Sequence, residues 1–318
     1  MTMAAATLEA VTASWILILL LLGAGCATGP IGKTTILLQT DPKEARFQAI
    51  LAADNAAVKD ILVCLDQNSE SIKANPVTRS AFRNRARQQM LQVRGTYERF
   101  LQDNPDHTRA RNAYASFLRQ IGDEKLAEEH WNQILASDEK NAAVHNNLAR
   151  HLVFTAIEQK NASSVPRAFE LIDKAIVLDS KQSLYHHNLA TTICLYPNEA
   201  AQHFQRTPTI VLEMALKEYQ AALKLDPKNF TIASELAESY LQILPIQTES
   251  AATAWKHALQ LAQSERQKDS VHLNIAILEF KTGNRTAARQ SLLKVSDKYF
   301  SEMKVQLQKQ LSDSEKRR

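Results

Sequence analysis

The stretch that decides the fold is ALKEYQAALKLDPKN, residues 215–229. Ala215, Tyr219 and Ala222 lie four and then three positions apart, so they share one face of a helix. Two of these three residues are small, and small side chains let a neighbouring helix approach closely. Pro227 follows the apolar run and favours the end of the helix before it. The stretch therefore predicts a helix that packs closely against a partner helix.

The same pattern returns along the chain at a period of about 34 residues. A large residue followed by a small one marks the first helix of each unit, at Tyr114-Ala115, Leu148-Ala149, Leu189-Ala190, Leu236-Ala237 and Ile275-Ala276. The second helices carry Ala127 and Trp131, then Ala168, Ile172 and Ala175, then Ala251, Trp255 and Ala258, then Ala288 and Leu292. Five units cover roughly residues 108–302, and GTYERFLQDNPD is similar to the second helix of an incomplete sixth.

This pattern resembles the tetratricopeptide repeat, a family in which each unit is a pair of antiparallel helices. The resemblance implies an all-α fold, an α-solenoid of stacked helix pairs with a concave groove. We expect N-terminal helices to cap the array, since residues 42–66 and about 77–102 have helical apolar spacing. Extra residues around EQKNASSVP and CLYPNEAAQHFQRTPT predict insertions in the second and third units.

The domain organisation follows from these segments. We expect a signal, lipoprotein or anchor segment at 1–27, a linker at 28–41, N-terminal helices with a partial repeat at 42–107, five repeats at 108–302, and a C-terminal helix with a charged tail at 303–318.

The N-terminal segment has several interpretations. Trp15 to Leu22 has the length of a signal-peptide apolar region, and small residues and Cys26 follow it. In bacterial lipoproteins a cysteine at this place is acylated, so Cys26 is the predicted lipidation site. Cleavage after Ala27 and an uncleaved membrane anchor with a cytoplasmic domain are alternatives.

A fourth interpretation of the same region is a phosphate-binding loop. ATGPIGKT, residues 27–34, resembles that motif, with Lys33 and Thr34 in the positions that contact phosphate and magnesium. Pro42 limits any helix that begins at Lys33 to about two turns. The rest of the chain also lacks the alternation of strand and helix that a nucleotide-binding sheet requires.

Composition and residue spacing point away from catalysis. The net charge is +4, and the seven glycines and three cysteines suit neither a turn-rich β protein nor a disulfide framework. Three of the nine histidines, His145, His186 and His272, recur at one repeat position, and helices about 10 Å apart cannot share a metal through them. We therefore predict no enzyme activity, no cofactor, no metal, no small-molecule substrate and no nucleic-acid partner.

The resemblance implies a partner-binding groove lined by the first helices. The predicted groove residues are Asn112, Ser116, Arg119, Asn146, Asn147, Arg150, His187, Asn188 and Thr191, with Ser234 and Glu238 further along. Asn147, Asn188 and Asn274 match a frequent family asparagine that precedes the large-small pair and can hydrogen-bond a peptide backbone. The expected ligand is an extended or helical segment of a protein.

A second surface is basic. Arg79, Arg83, Arg87 and Arg94 fall on one side of a helix, beside its apolar stripe. Such a row could bind anionic lipid or an acidic protein, or it could be an ordinary solvated face.

Together these features predict a non-enzymatic, membrane-anchored scaffold. It would be a lipoprotein facing the periplasm in a bacterial cell envelope, where it holds a protein partner during envelope assembly, secretion or pilus biogenesis. The alternatives are an NTPase that uses Lys33 and Thr34, and an anionic-lipid binder that uses the arginines.

Overall fold

A computed structural model describes residues 41–316, and within this range the chain forms fifteen α-helices and no strand. The described residues divide into two compact units, unit 1 up to residue 147 and unit 2 from residue 148. No helix among the described residues is long and apolar enough to cross a membrane.

Unit 1 contains five complete helices and the start of a sixth. They are α1 (Pro42–Gln67), α2 (Ser69–Ala74), α3 (Pro76–Asp103), α4 (Thr108–Gln120), α5 (Glu124–Ser137) and the first residues of α6 (Ala142–Glu158). The short helix α2 is an element that sequence reasoning did not predict. The predicted second helix of an incomplete repeat is the final part of the long helix α3.

Unit 2 contains the rest of α6 and nine further helices. They are α7 (Val165–Leu178), α8 (Ser183–Leu195), α9 (Pro197–His203), α10 (Pro208–Leu225), α11 (Phe230–Ser239), α12 (Thr248–Leu261), α13 (Glu265–Lys281), α14 (Arg285–Leu293) and α15 (Ser301–Lys316). Short 3₁₀ turns occur at Ala162–Ser164, Tyr240–Gln242 and Lys298–Phe300.

The two long N-terminal helices begin at asparagine or aspartate caps followed by proline. The Asp41 side chain accepts from Lys43 N at 3.0 Å, and the Asn75 side chain accepts from Val77 N at 2.8 Å. Both caps satisfy backbone donors that a helix start leaves unpaired. The end of α3 then packs against α4, where Tyr97 lies 5.4 Å from Tyr114 between ring centroids.

The helix pairs have the small crossing residues that the repeat pattern predicted. Ala115 and Ala127 are fully buried where α4 meets α5, and Ala190 and Ala215 are fully buried in the α8/α10 pair. Alanine at these positions allows close helix contact, and larger side chains such as Trp131 fill the space between.

Within unit 2 the pairs also stack on one another. The second helix α10 packs against α11, and α12 packs against α13, so one apolar core runs through α6 to α13. A further core closes the C-terminal end, where Leu307 and Leu311 of α15 pack with Leu273 and Leu292. This repetition of antiparallel pairs is the predicted all-α array.

The connections between pairs are built from the same polar contacts. Asn141 Nδ2 donates to Asp138 at 2.9 Å, and its Oδ1 accepts from Val144 N at 3.2 Å. Asn229 repeats both bonds with Asp226 and Ile232. These contacts end one pair and cap the first helix of the next.

The insertions have defined structures. A 3₁₀ turn precedes α7, and the separate helix α9 occupies the insertion of the third pair. The fourth pair also has extra residues between α11 and α12, including Tyr240–Gln242, and sequence reasoning did not predict that insertion.

Candidate partner-binding surface

In unit 1 the predicted groove residues meet at Asn112 on α4. Its side-chain oxygen accepts hydrogen bonds from Trp131 Nε1 at 2.9 Å and from Asn147 Nδ2 at 3.0 Å. Asn147 belongs to α6, so the contact joins the first helices of two successive pairs. Ser116 lies one turn further along α4, half-buried, and its hydroxyl donates to the backbone carbonyl of Asn112 at 3.1 Å.

The remaining predicted groove residues differ in exposure. Arg119 in unit 1 and Arg150 in unit 2 are half-buried. Asn146 is only 1% exposed and Asn188 only 9% exposed. The side chains of these two asparagines therefore lie in the interior, whereas His187 and Thr191 on α8 lie half-buried near the surface.

In unit 2 the centre of the surface is Glu235 on α11. Its Oε2 accepts from His187 Nε2 at 2.8 Å, from Thr191 Oγ1 at 3.1 Å and from Tyr219 Oη at 3.2 Å. Thr191 and Tyr219 also hydrogen-bond each other at 3.0 Å. One carboxylate thus connects α8, α10 and α11.

These contacts keep Glu235 charged. Burial, the largest influence, would raise its pKa, but hydrogen bonds from His187, Thr191 and Tyr219 and the charge of His187 lower the pKa below its ordinary value. Burial, followed by the charge of Glu235, raises the pKa of Tyr219 well above its ordinary value. Tyr219 therefore remains a hydrogen-bond donor to an ionised carboxylate.

A second carboxylate, Glu238, stands one turn further along α11. Its side chain is exposed, yet desolvation by the surrounding protein and the charge of Glu235 raise its pKa, while Lys281 of α13 lowers it. Burial also raises the pKa of the nearby Cys194 thiol to about 12, which makes it a poor nucleophile.

The residues hydrogen-bonded around Glu235 occupy the same repeat positions as those around Asn112, but their side chains are of different types. Glu235 directly precedes Leu236-Ala237, the position that Asn147 has before Leu148-Ala149. His187 corresponds to Asn112 and Tyr219 corresponds to Trp131 in the same alignment of repeats. Sequence reasoning missed Glu235, and the signal for it was a glutamate where three other repeats have asparagine.

Two of the three repeated histidines have local structural partners. His145 Nε2 donates to the Glu139 carbonyl at 2.8 Å, and His186 Nε2 donates to the Ser180 carbonyl at 3.0 Å, six residues upstream in both cases. His186 also contacts Glu218 at 2.6 Å. Among the described residues, no group of three or more His, Cys, Asp or Glu side chains is arranged to hold a metal ion.

The predicted arginine row divides into two kinds of residue. Arg79 donates to the carbonyls of Ile72 and Lys73 at the end of α2, and Arg94 pairs with Glu98 at 2.8 Å and Asp123 at 3.0 Å. Arg83 and Arg87, one turn apart on α3, are exposed.

Cys26, Lys33 and Thr34 lie outside the described residues, as do the signal or anchor segment and nearly all of the predicted linker. Residues 61–66, an apolar run that ends in an aspartate, lie inside helix α1 and not in a strand.

Comparisons with known proteins give structural similarity only. No family model matches the chain, and no curated protein matches it in sequence. A thermophilic TPR protein from Thermus thermophilus, TTC0263, is 17% identical, with 64% of this chain and 96% of that chain covered and a TM-score of 0.47. YrrB, a TPR protein with an unusual peptide-binding site, is 12% identical over 70% of this chain and 98% of that chain, with a TM-score of 0.48.

PilF of Pseudomonas aeruginosa is 18% identical, with 81% of this chain and 99% of that chain covered and a TM-score of 0.49. The fold itself is evident from the chain's own repeats and helix contacts. Large-small pairs on the first helices meet small residues on the second helices, and successive pairs stack within unit 2. The chain therefore has the tetratricopeptide-repeat fold, an all-α array of antiparallel helix pairs.

Proposed function

We propose that the protein is a non-enzymatic scaffold that binds a segment of a protein partner on its first helices. The supporting observation is that groove side chains of successive pairs are hydrogen-bonded to each other, at Asn112–Asn147 in unit 1 and at His187–Glu235 in unit 2. A polar surface that is ordered before binding loses less side-chain entropy when a partner docks.

A non-enzymatic role is consistent with the chemistry of this surface. The titratable groups around Glu235 are engaged with one another, and the Cys194 thiol is held protonated at neutral pH by its raised pKa of about 12. An activated nucleophile would need a lowered pKa or an adjacent base that is free to accept its proton.

The proposal includes attachment to a membrane through acylated Cys26, with the helix array in the bacterial cell envelope. Its support is the apolar segment followed by small residues and a cysteine. The mass of the N-terminal peptide from protein purified out of native membranes tests this part. An N-terminus at Cys26 that carries acyl chains is expected, and an unmodified Met1 N-terminus would contradict lipidation.

Co-purification tests the binding role. Glu238→Lys reverses a charge on α11 in the proposed groove, and Glu213→Lys makes the same change at an exposed site on the second helix α10. We expect the first variant to lose a protein that co-purifies with the wild type, and the second variant to retain it. Equal retention by both folded variants would place the binding surface elsewhere.

Exposed Arg83 and Arg87 favour one second candidate, a surface for anionic lipid. Flotation with vesicles containing phosphatidylglycerol tests it. Binding that persists after Arg83→Gln and Arg87→Gln would remove this candidate.

A further inference from the structure

Helix α1 carries one acidic side chain in its buried face. The buried residues of α1 recur at helical spacing, and they are Phe47, Ile50, Leu51, Asp54, Ala57 and Ile61. Asp54 is the member of this set that is not apolar, and it is only 8% exposed. Burying a carboxyl group is costly when the group is charged, so the charge of Asp54 affects how tightly α1 packs.

In the described part of the chain, Asp54 has a single hydrogen-bond donor. Its Oδ2 accepts from Tyr97 Oη of α3 at 2.9 Å, whereas its Oδ1 is buried and has no partner. Tyr97 is fully buried and stacks on Tyr114 of α4, with 5.4 Å between ring centroids. A carboxylate in such apolar surroundings needs several donors or a cation to stay ionised, and one neutral hydroxyl falls short of that.

Charged groups on α1 and on the helices packed against it are exposed or paired with one another. The pairs are Arg46 of α1 with Asp103 of α3, Glu44 of α1 with His107 and Arg109 at the start of α4, Arg94 with Glu98 on α3, and Lys73 with Glu70 on α2, while Lys59, Asp60 and Asp66 of α1 are exposed. Helix α2 begins about 20 Å beyond Asp54 along the axis of α1. The titratable groups on the side of Asp54 are therefore Tyr97 from α3 and, behind it, Tyr114 from α4.

These surroundings favour the protonated form of Asp54. Burial, the larger influence, raises the pKa of Asp54 above its ordinary value of 3.8, and the hydrogen bond from Tyr97 lowers it in part. The stabilising effect of the proton is therefore complete below the ordinary value and is lost as the pH rises through the raised pKa.

The other contacts that hold α1 are apolar or lie at the surface. Phe47 packs against Phe100 at 6.0 Å and against His107 at 5.0 Å between ring centroids. The ion pair between Arg46 and Asp103 is exposed, and exposed pairs contribute little to stability. Packing of α1 thus depends mainly on its apolar face, and Asp54 lies in the middle of that face.

We propose that α1 is a pH-sensitive capping helix of unit 1, which packs firmly on α3 and α4 while Asp54 is protonated and opens more often once Asp54 is ionised. Opening moves the charged carboxylate into water and uncovers the apolar side chains of α3 and α4 beneath it. This inference goes beyond partner binding on the first helices and does not depend on it.

Hydrogen exchange followed by mass spectrometry tests the inference on the full chain in a non-ionic detergent. Asp54→Asn is uncharged and has nearly the shape of the protonated acid, so comparison with the wild type at one pH isolates the charge. Amides of α1 should exchange about tenfold faster in the wild type than in Asp54→Asn at about pH 7. At about pH 3.5 the two proteins should exchange at nearly equal rates. Amides of α4 should show no such difference at either pH.

Three further variants separate charge from packing. Asp54→Leu also removes the charge, so α1 should exchange slowly at both pH values. Tyr97→Phe removes the donor that lowers the pKa of Asp54, so the pH at which α1 exchange accelerates should rise. Asp66→Asn, at an exposed site of the same helix, is the matched control and should leave exchange of α1 unchanged. Circular dichroism shows that each variant is folded.

Three results would overturn the inference. One is equal exchange of α1 in the wild type and in Asp54→Asn at about pH 7. Another is a difference between these proteins that has the same size at both pH values, because its cause would then be packing and not charge. The third is an equal change in α1 and α4, because unit 1 would then unfold as a whole and α1 would not open separately.

Discussion

His187 donates to Glu235 at 2.8 Å in the place where Asn147 donates to Asn112 at 3.0 Å in an earlier pair. The direction of the bond between successive first helices is reversed, because the donor is on the earlier helix in one case and on the later helix in the other. The same scaffold contact therefore supports a neutral surface in unit 1 and a charged surface in unit 2.

The charged contact makes unit 2 sensitive to acid. Hydrogen bonds lower the pKa of Glu235 below its ordinary value of 4.5, so its stabilising effect is present above that pH and is lost as the pH falls through the lowered value. Glu235→Gln should cost about 1 kcal/mol at pH 7 and less at lower pH. Urea unfolding at several pH values measures this, and a cost independent of pH would contradict the assignment.

Titratable or charged groups on four helices lie near Glu235 and influence its surroundings. His187 and Cys194 face Glu235 from α8, Tyr219 faces it from α10, Glu238 lies on α11, and Lys281 reaches the region from α13. Glu213→Gln on the exposed side of α10 is the matched control, and it should leave the pH profile unchanged.

The two buried tryptophans should differ in their response to phenylalanine. Trp131→Phe removes a donor to Asn112, whereas Trp255→Phe removes an N–H that has no acceptor among the described residues. Both changes remove similar ring volume, so the first should cost about 1 to 3 kcal/mol more than the second. Urea unfolding followed by circular dichroism compares them. Equal costs would show that the Trp255 N–H is already satisfied.

Two helix ends carry non-glycine residues in the left-handed region. Lys160 has φ of 50° and Gln205 has φ of 53°, while Gly122 and Gly283 have φ of 85° and 87° at comparable ends. All four precede a residue whose N–H bonds a carbonyl five residues back, such as Asp123 N to Leu118 O at 2.9 Å.

Glycine relieves the strain of a side chain at positive φ. Lys160→Gly and Gln205→Gly should therefore each stabilise the protein by about 1 kcal/mol, whereas Gly122→Ala should destabilise it by a similar amount. Thermal unfolding tests the prediction, and a loss of stability in both glycine variants would contradict it.

Asp269 holds the turn after α14. Its Oδ2 accepts from Ser296 N at 2.7 Å, Asp297 N at 2.6 Å and Ser296 Oγ at 3.1 Å. Burial would raise its pKa, but these bonds outweigh burial and lower the pKa below the ordinary 3.8. Asp269→Asn should cost about 2 kcal/mol at pH 7 in urea unfolding, since a neutral amide oxygen accepts these hydrogen bonds more weakly than the charged carboxylate oxygen does.

The cost of Asp269→Asn should shrink only when the pH falls through the lowered pKa, where the wild-type carboxylate is protonated as well. Asp66→Asn, at an exposed site on α1, is the control and should change stability little. A large effect of the control, or none at Asp269, would refute the role of this turn.

The arginines of α3 should separate into structural and surface residues. Arg94 pairs with Glu98 and with Asp123 at the start of α5, and Arg83 is exposed. Arg94→Gln should cost about 1 kcal/mol, a value reduced by the partial exposure of its partners, and Arg83→Gln should cost almost nothing. Thermal unfolding compares the two. Equal losses would contradict this division.

The repeated packing of this chain was predictable because it depends on residue size at fixed spacing. Ala115, Ala127, Ala215 and Ala222 were expected at helix crossings, and all four are fully buried. Helices around 42–66 and 77–102 followed from apolar periodicity in the same way.

Other features depend on how separate segments meet. His187 and Glu235 are 48 residues apart, and their contact requires the stacking of two pairs as well as the insertion that carries α9. Whether an arginine forms an ion pair likewise depends on a residue elsewhere in the chain. Arg94, for example, pairs with Asp123. The spacing of residues along one helix predicts neither a contact between separate helices nor the ion pairing of an arginine.

The most direct test of partner binding on the first helices is site-specific photo-cross-linking in the native cell. The photoreactive residue p-benzoylphenylalanine replaces Ser116 or Glu238 on the first helices. The controls are on second helices: Val177 is an exposed site, and Glu213 is an exposed glutamate that matches Glu238. A protein partner should cross-link from the first-helix positions and not from the controls. Cross-linking of the same partner from Val177 and Glu213, with none from Ser116 or Glu238, would contradict it.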